Sequence, residues 1–324
     1  MKGDFLLLSS KRASPIHHLT LEGGNMPSPE HDQVVEVLRA FGVKDKVDTP
    51  IEDQRASYEL AGAAYPLPVG ISIDELTIGK MRAEWITPEN AIEGRAVLYL
   101  HGGGYVIGSI STHREFACRI ANATNSKVLI VEYRLAPEHL FPAALDDAVS
   151  SFKFLLEEGY RASRLAIIGD SAGGGLTLAL LLRLRELSVE LPSCAICLSP
   201  WVDLTMSGDT MKSHASLDPV VSEESLKMMA QLYIGPEDSK NPLISPLYGD
   251  FSGFPPLLIQ VGTAEVLLDD SRRLAKKALE QGVQVTLHEF EGLIHVFQAF
   301  AALAPESAQA VDEIGAFCAL HFAE

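Results

Sequence analysis

Two short stretches of this sequence carry residue types at spacings suited to acyl-transfer chemistry. The first is Gly169-Asp170-Ser171-Ala172-Gly173. A serine hydroxyl becomes a useful nucleophile when a sharp strand-to-helix turn exposes it to a base. Glycines two residues before and two residues after it leave room for strand and helix to approach there. The flanks fit: Arg164-Leu-Ala-Ile-Ile168 reads as a short buried strand, and Leu176-Thr-Leu-Ala-Leu-Leu-Leu-Arg-Leu as an apolar helix. Without those flanks the pattern would be a glycine-rich turn that happens to hold a serine. The second stretch is His101-Gly102-Gly103-Gly104-Tyr105, which follows the strand-like Ala96-Val-Leu-Tyr-Leu100 directly. Backbone N–H groups free of side chains can converge there on the oxyanion of a tetrahedral intermediate, a contribution on the order of a few kcal/mol. A phosphate loop is the rival reading. No Gly-x-x-x-x-Gly-Lys-Ser/Thr follows, however, and Gly102, Gly104 and Gly108 miss the dinucleotide-binding spacing by one residue.

The elements that must position these residues alternate. Strands are expected at 96–100, 128–133, 164–168, 194–199, 256–261 and 283–289. Helices are expected at 113–124, 143–158, 172–186, 270–281 and 305–321. Such alternation predicts an α/β fold with a mostly parallel sheet covered on both faces. The helix at 143–158 has the strongest pattern, with Leu145, Ala148, Val149, Phe152, Leu155 and Leu156 on one stripe, Pro142 at its start and Gly159 at its stop. Pro29 to Phe41 also carries helical spacing, followed by a polar connection. The run from about 204 to 240 interrupts the rhythm with Met206, Met211, Met228, Met229 and Ser222-Glu-Glu-Ser. The expected organisation is therefore N-terminal cap helices in residues 1–50 and a catalytic domain over 51–324, with a cap insertion near 204–240.

Composition narrows the function classes. With 324 residues, 47% of them hydrophobic, the chain can bury a large core. Its 26 basic and 43 acidic residues give a net charge of −17, which repels nucleic acid and anionic membrane surfaces. Phe5-Leu-Leu-Leu8 is too short for a signal-peptide core or a membrane span, so a cytoplasmic protein without a span is expected. Cys118, Cys194, Cys197 and Cys318 sit in apolar contexts, as reduced core thiols would. Cys194 and Cys197 fall on opposite faces of one predicted strand, an arrangement unfit for a zinc pair. No metal motif is present and no cofactor is expected.

The pair His101-Gly-Gly-Gly104 and Gly169-Asp-Ser-Ala-Gly-Gly174, with Tyr133-Arg-Leu-Ala-Pro-Glu-His139 between them, resembles the bacterial hormone-sensitive-lipase-type (family IV) esterases of the α/β-hydrolase superfamily. Ala83-Glu-Trp-Ile-Thr-Pro88 and Ser199-Pro-Trp-Val-Asp203 fall in that family's order, and the likeness covers nearly the whole chain. The resemblance implies a metal-independent serine carboxylesterase with a small acyl pocket, a helical cap and frequent dimerisation. In this fold the chain order is serine, acid, histidine. Among ten histidines, His295 in Glu291-Gly-Leu-Ile-His295 is the expected base. His101 is expected to anchor the glycine loop, and Glu138-His139 to brace a turn.

The acid departs from the family. Members typically carry Asp-x-Leu-x-Asp after the penultimate strand, whereas this chain reads Glu265-Val-Leu267-Leu-Asp269. Glu265 takes the triad place in that register, and a glutamate can still orient an imidazole. Asp269 is the competing candidate, expected instead to cap the helix that follows. The expected machinery is Ser171, His295 and Glu265, with the N–H groups of Gly103, Gly104 and Ala172 as oxyanion donors, acting on a small ester of short- to medium-chain acids through an acyl-enzyme. A lactone or amide hydrolase would use the same parts. A receptor-like binder on this fold is the reading from another class.

Overall fold

The computed structural model describes residues 17–18, 27–45, 47–62 and 64–324. Phe5–Leu8 lies outside them. The strands are β1 (His17–His18), β2 (Ile71–Ile78), β3 (Met81–Pro88), β4 (Ala96–Leu100), β5 (Lys127–Val131), β6 (Leu165–Asp170), β7 (Cys194–Leu198), β8 (Leu257–Gly262) and β9 (Val285–Phe290). The helices are α1 (Pro29–Ala40), α2 (Ile51–Gly62), α3 (Ile110–Thr124), α4 (Ala143–Glu157), α5 (Ala172–Glu186), α6 (Thr210–Ser213), α7 (Glu223–Ile234), α8 (Leu268–Glu280) and α9 (Pro305–His321). The strands form one sheet in the order β1-β9-β8-β7-β6-β4-β5-β3-β2. Among the described strands only β2–β3 and β3–β5 pair antiparallel. β4 lies between β5 and β6, so the glycine loop and the serine turn leave neighbouring strands at the same end of the sheet.

Both faces are buried, which explains the unbroken apolar runs of the central strands. Leu98, Leu100 and Ile167 point to one side with Leu145 and Phe152 of α4, Leu176 of α5 and Leu274 of α8. Val97, Tyr99 and Ile168 point to the other with Phe116 and Ile120 of α3 and Ile314 of α9. Truncating one such leucine or isoleucine to alanine costs about 2–5 kcal/mol, against roughly 0.3–0.5 for an exposed helical pair such as Lys276–Glu280. Layer packing, not surface charge, holds the site's scaffold. The expected stripe of α4 is buried except for the half-buried Leu156. Cys194 and Cys197 lie on opposite faces of β7, and all four cysteines are free and buried.

Three differences from the sequence expectations matter. α2 occupies residues 51–62, where no helix was expected, and packs along α3. Its apolar spacing is weak because polar side chains make its inward contacts: Arg55 reaches the carbonyls of Val106 and Ala136, and Tyr58 reaches His113. α3 starts three residues early because Ser109 and Thr112 form a capping box. α8 starts at Leu268, so Asp269 lies inside its first turn and is not the expected N-cap. The segment 204–240 holds α6 and α7, the latter capped by Ser222 and Ser225. Among the described residues no helix is long and apolar enough to cross a membrane.

Candidate active site

β6 ends at Asp170 and α5 begins at Ala172, leaving Ser171 alone at the turn with φ 51° and ψ −119°. A non-glycine residue held in such a region costs on the order of 1–3 kcal/mol and persists only where its surroundings over-determine it. Here they do. Ser171 N–H donates to the Leu198 carbonyl at 2.8 Å, and its own carbonyl accepts from Trp201 N–H at 2.9 Å and Gly175 N–H at 3.1 Å. A Cβ on Gly169 would overlap the Gly173 carbonyl, and one on Gly173 would overlap the Leu100 carbonyl. The two glycines are therefore steric requirements of the turn.

His295, in the loop after β9, lies with Nε2 3.0 Å from Ser171 Oγ and Nδ1 2.8 Å from Glu265 Oε2. Burial works to lower the imidazole pKa, but the Glu265 carboxylate, with help from Asp218 and Asp170, outweighs it and holds His295 above its ordinary value. Glu265 Oε1 accepts from Ser199 Oγ at 2.7 Å and Gly262 N–H at 2.8 Å. Ser199 Oγ in turn accepts from Val296 N–H at 3.0 Å, so one hydroxyl joins the loops of β7, acid and histidine. Asp218 ties the 204–240 segment to the same place by accepting from Val266 N–H at 3.0 Å. Glu265 is 0% exposed and Ser171 8%, so both are buried, the carboxylate fully. Asp269 lies apart, its carboxylate accepting from Thr210 N–H at 3.0 Å.

The glycine loop turns with φ 112° at Gly103 and 62° at Gly104, values that disfavour any side chain. The N–H groups of Gly103, Gly104 and Ala172 have no acceptor among the described residues. Gly102 N–H differs: it donates to Asp170 Oδ1 at 3.0 Å. His101 stacks on Tyr133 with ring centroids 4.1 Å apart, and its Nδ1 lies 2.7 Å from the Gly102 carbonyl. Burial, then the neighbouring His113, pushes its pKa down to about 3, so it stays neutral and anchors the loop. Tyr133 donates to the His101 carbonyl at 2.7 Å. Glu138 pairs with Arg55 at 2.7 Å, bracing the turn through α2. Sequence reasoning assigned no role to Asp170, Ser199, Asp218, Arg55 or His113. Asp170 and Ser199 lay inside recognised motifs, a signal that could have been used. The others become meaningful only when distant segments meet. No group of three or more His, Cys, Asp or Glu among the described residues is arranged to hold a metal ion.

A family model of the α/β hydrolase fold matches residues 97–299. An acetyl-hydrolase of Streptomyces hygroscopicus is 40% identical, over 90% of this chain and 97% of its own length. The crystal structure of an esterase from the bacterial hormone-sensitive lipase family is 42% identical, with a TM-score of 0.87 over 92% of this chain and all of that one. The chain belongs to that family. Another similar structure is that of EstE5 soaked with p-nitrophenyl butyrate, at 40% identity and a TM-score of 0.88, covering 92% of this chain and all of that one.

Proposed function

We propose that this carboxylic ester hydrolase is a serine esterase in which Ser171 Oγ attacks the ester carbonyl. His295 Nε2 takes the serine proton and returns it to the departing alkoxide, while Glu265 holds Nδ1–H and balances the imidazolium. The N–H groups of Gly103, Gly104 and Ala172 receive the oxyanion. Water, deprotonated by the same imidazole, then hydrolyses the acyl-enzyme and frees the serine. The observation that carries this reading is the unbroken Ser171–His295–Glu265 chain at 3.0 and 2.8 Å beneath a serine held at positive φ.

Short- to medium-chain acyl groups are the proposed substrates. α7 lies over the glycine loop: a Cβ on Gly104 would overlap the Met229 sulfur, and Tyr233 stacks face to face on Tyr105 with centroids 3.9 Å apart. Such a roof limits the room beside the carbonyl. The proposed cap comprises this segment and the helical residues before 50, of which α1 places Val34 against Leu293 and Ile294 in the histidine loop. A cytoplasmic location and a homodimer complete the reading, the latter resting on the family resemblance. The test is Ser171→Ala assayed on p-nitrophenyl butyrate, with fluorophosphonate labelling of the parent protein. One equivalent of label on Ser171 and loss of turnover in the variant are expected. Undiminished turnover in Ser171→Ala would overturn the mechanism, and faster turnover of a sixteen-carbon than a four-carbon ester would overturn the chain-length assignment.

A further inference from the structure

A buried chain of polar side chains runs from α2 to the glycine loop, and none of its members hydrogen-bonds to Ser171, His295 or Glu265. Asp170, 2% exposed, receives two donors on Oδ1: Tyr99 O–H at 2.6 Å and Gly102 N–H at 3.0 Å. Its Oδ2 faces His113 Nε2 at 3.6 Å. The same nitrogen lies 3.3 Å from Tyr58 Oη on α2, and His113 Nδ1 lies 2.7 Å from Thr112 Oγ1 and 3.3 Å from the Ser109 carbonyl. A carboxylate oxygen buried without a partner is destabilising, and His113 is the polar group that stands there. Tyr99, His101, Tyr133, Tyr58 and, toward the serine, His295 are the other titratable groups facing Asp170.

The arrangement acts on one peptide unit. The carbonyl of the His101–Gly102 peptide accepts from Tyr133 O–H at 2.7 Å while its N–H donates to Asp170, so the plane preceding Gly103 is held at both edges. A Cβ on Gly102 would overlap Asp170 Oδ2, so the close approach of loop and carboxylate requires glycine. One turn before Tyr58, Arg55 Nε donates to the Val106 carbonyl at 2.9 Å and steadies the loop's other end. We propose that His113 is a positioning residue of the oxyanion hole: seated by Tyr58, it holds the Asp170 carboxylate in the orientation that fixes the His101–Gly102 peptide and aims the Gly103 and Gly104 N–H groups. The proposal rests on the catalytic assignment of Ser171 and the glycine loop made above. It makes α2 a clamp on the catalytic loop, distinct in task from the cap.

His113→Gln and the milder Tyr58→Phe test it, each with p-nitrophenyl butyrate turnover and inhibition by a trifluoromethyl ketone whose tetrahedral adduct places an oxyanion in the hole. Loss of aim, unlike loss of a donor, should lower kcat for His113→Gln by about 10–10², short of the ~10²–10³ for a deleted donor. KM should stay within about twofold, because the interaction is made in the transition state. The ketone should bind weaker by the same factor as kcat falls. Tyr58→Phe should lower kcat by about fivefold, the equivalent of one ordinary hydrogen bond. If both variants, compared at matched folded fraction, keep the parent kcat and ketone affinity, the proposal is overturned and His113 is a core residue only. Ser171→Ala separates the two readings: activity surviving there sinks the catalytic assignment, whereas a dead Ser171→Ala beside unimpaired His113→Gln and Tyr58→Phe sinks this proposal alone.

Discussion

The glycine loop and the acid loop flank the same serine, yet one is shaped by missing side chains and the other by a junction of them. On the glycine side, Gly102, Gly103 and Gly173 are places where a single Cβ would strike backbone or the Asp170 carboxylate. In the proposed mechanism the chemistry there falls to peptide N–H groups, and the side chains of Tyr133 and Asp170 hold the peptides. On the acid side, Ser199, Glu265 and Val296 come from three loops and meet through one hydroxyl. The contrast teaches where each side tolerates change. A backbone-built site fails when volume is added, whereas a junction of side chains fails when an atom that donates or accepts is removed.

The largest expected effect is on the acid side. Glu265→Gln keeps the shape but removes the charge facing His295 Nδ1, and kcat should fall by something on the order of 10³–10⁴. The pH profile should shift as well. In the proposed mechanism His295 must be neutral to take the serine proton, and its folded pKa is held above 6.5, so the parent's activity should rise with pH through a limb above 6.5. In the glutamine variant burial acts without the carboxylate, and that limb should move to lower pH. Stability runs with the opposite sign. The folded pKa exceeds the unfolded one, so the His295–Glu265 contribution is full below pH 6.5 and is lost as pH rises through the folded value. A limb that stays in place in Glu265→Gln would show that another group sets it.

A smaller effect probes the junction itself. Ser199→Ala takes a donor from Glu265 Oε1 and an acceptor from Val296 N–H, leaving Gly262 N–H as the remaining hydrogen-bond donor on that oxygen. Each group left unsatisfied costs about 1–3 kcal/mol, so chemical denaturation should show a loss in that range. Misplacing the acid by a fraction of an ångström should lower kcat by about 10–10². Parent-like kcat at matched folded fraction would mean that Gly262 alone fixes the carboxylate. The position of Ser199 in a positive-φ turn, at φ 44°, makes alanine the informative substitution, since larger residues add strain of their own.

The same contrast explains what the sequence disclosed. Steric demands on a backbone are written locally, so Gly169, Gly173 and the Gly102–Gly104 run pointed to the turn and the loop from spacing alone. A sheet covered on both faces was legible in apolar runs such as Leu165–Ile168, which only a doubly covered strand tolerates, whereas the order of its strands was not. Side-chain junctions are written nowhere in one segment: Ser199 and Glu265 are 66 residues apart and Tyr58 and His113 are 55. α2 escaped notice for that reason, because its inward contacts are hydrogen bonds and an aromatic edge rather than an apolar stripe. Helix starts were legible only to within a few residues, since capping by Ser109 extended α3 backward and α8 began before its aspartates.

The smallest expected effect completes the comparison by asking which carboxylate serves the histidine. Asp269 sits in the first turn of α8, where its Oδ2 accepts from Thr210 N–H at 3.0 Å and its own N–H donates to Thr210 Oγ1 at 3.0 Å. Thr210 Oγ1 donates in turn to the Val266 carbonyl at 2.8 Å, so Asp269 braces the residue beside Glu265 without touching His295. Asparagine retains an oxygen for Thr210 N–H and loses only the charge at the helix start, worth about 0.3–1 kcal/mol there. Asp269→Asn should therefore lower stability by about that amount and leave kcat within about twofold. The measurement is turnover at matched folded fraction beside Glu265→Gln. Collapse of kcat in Asp269→Asn with near-normal turnover in Glu265→Gln would transfer the acid's role four residues along the chain, and would mean that the 2.8 Å contact between Glu265 and His295 is not the one used in turnover.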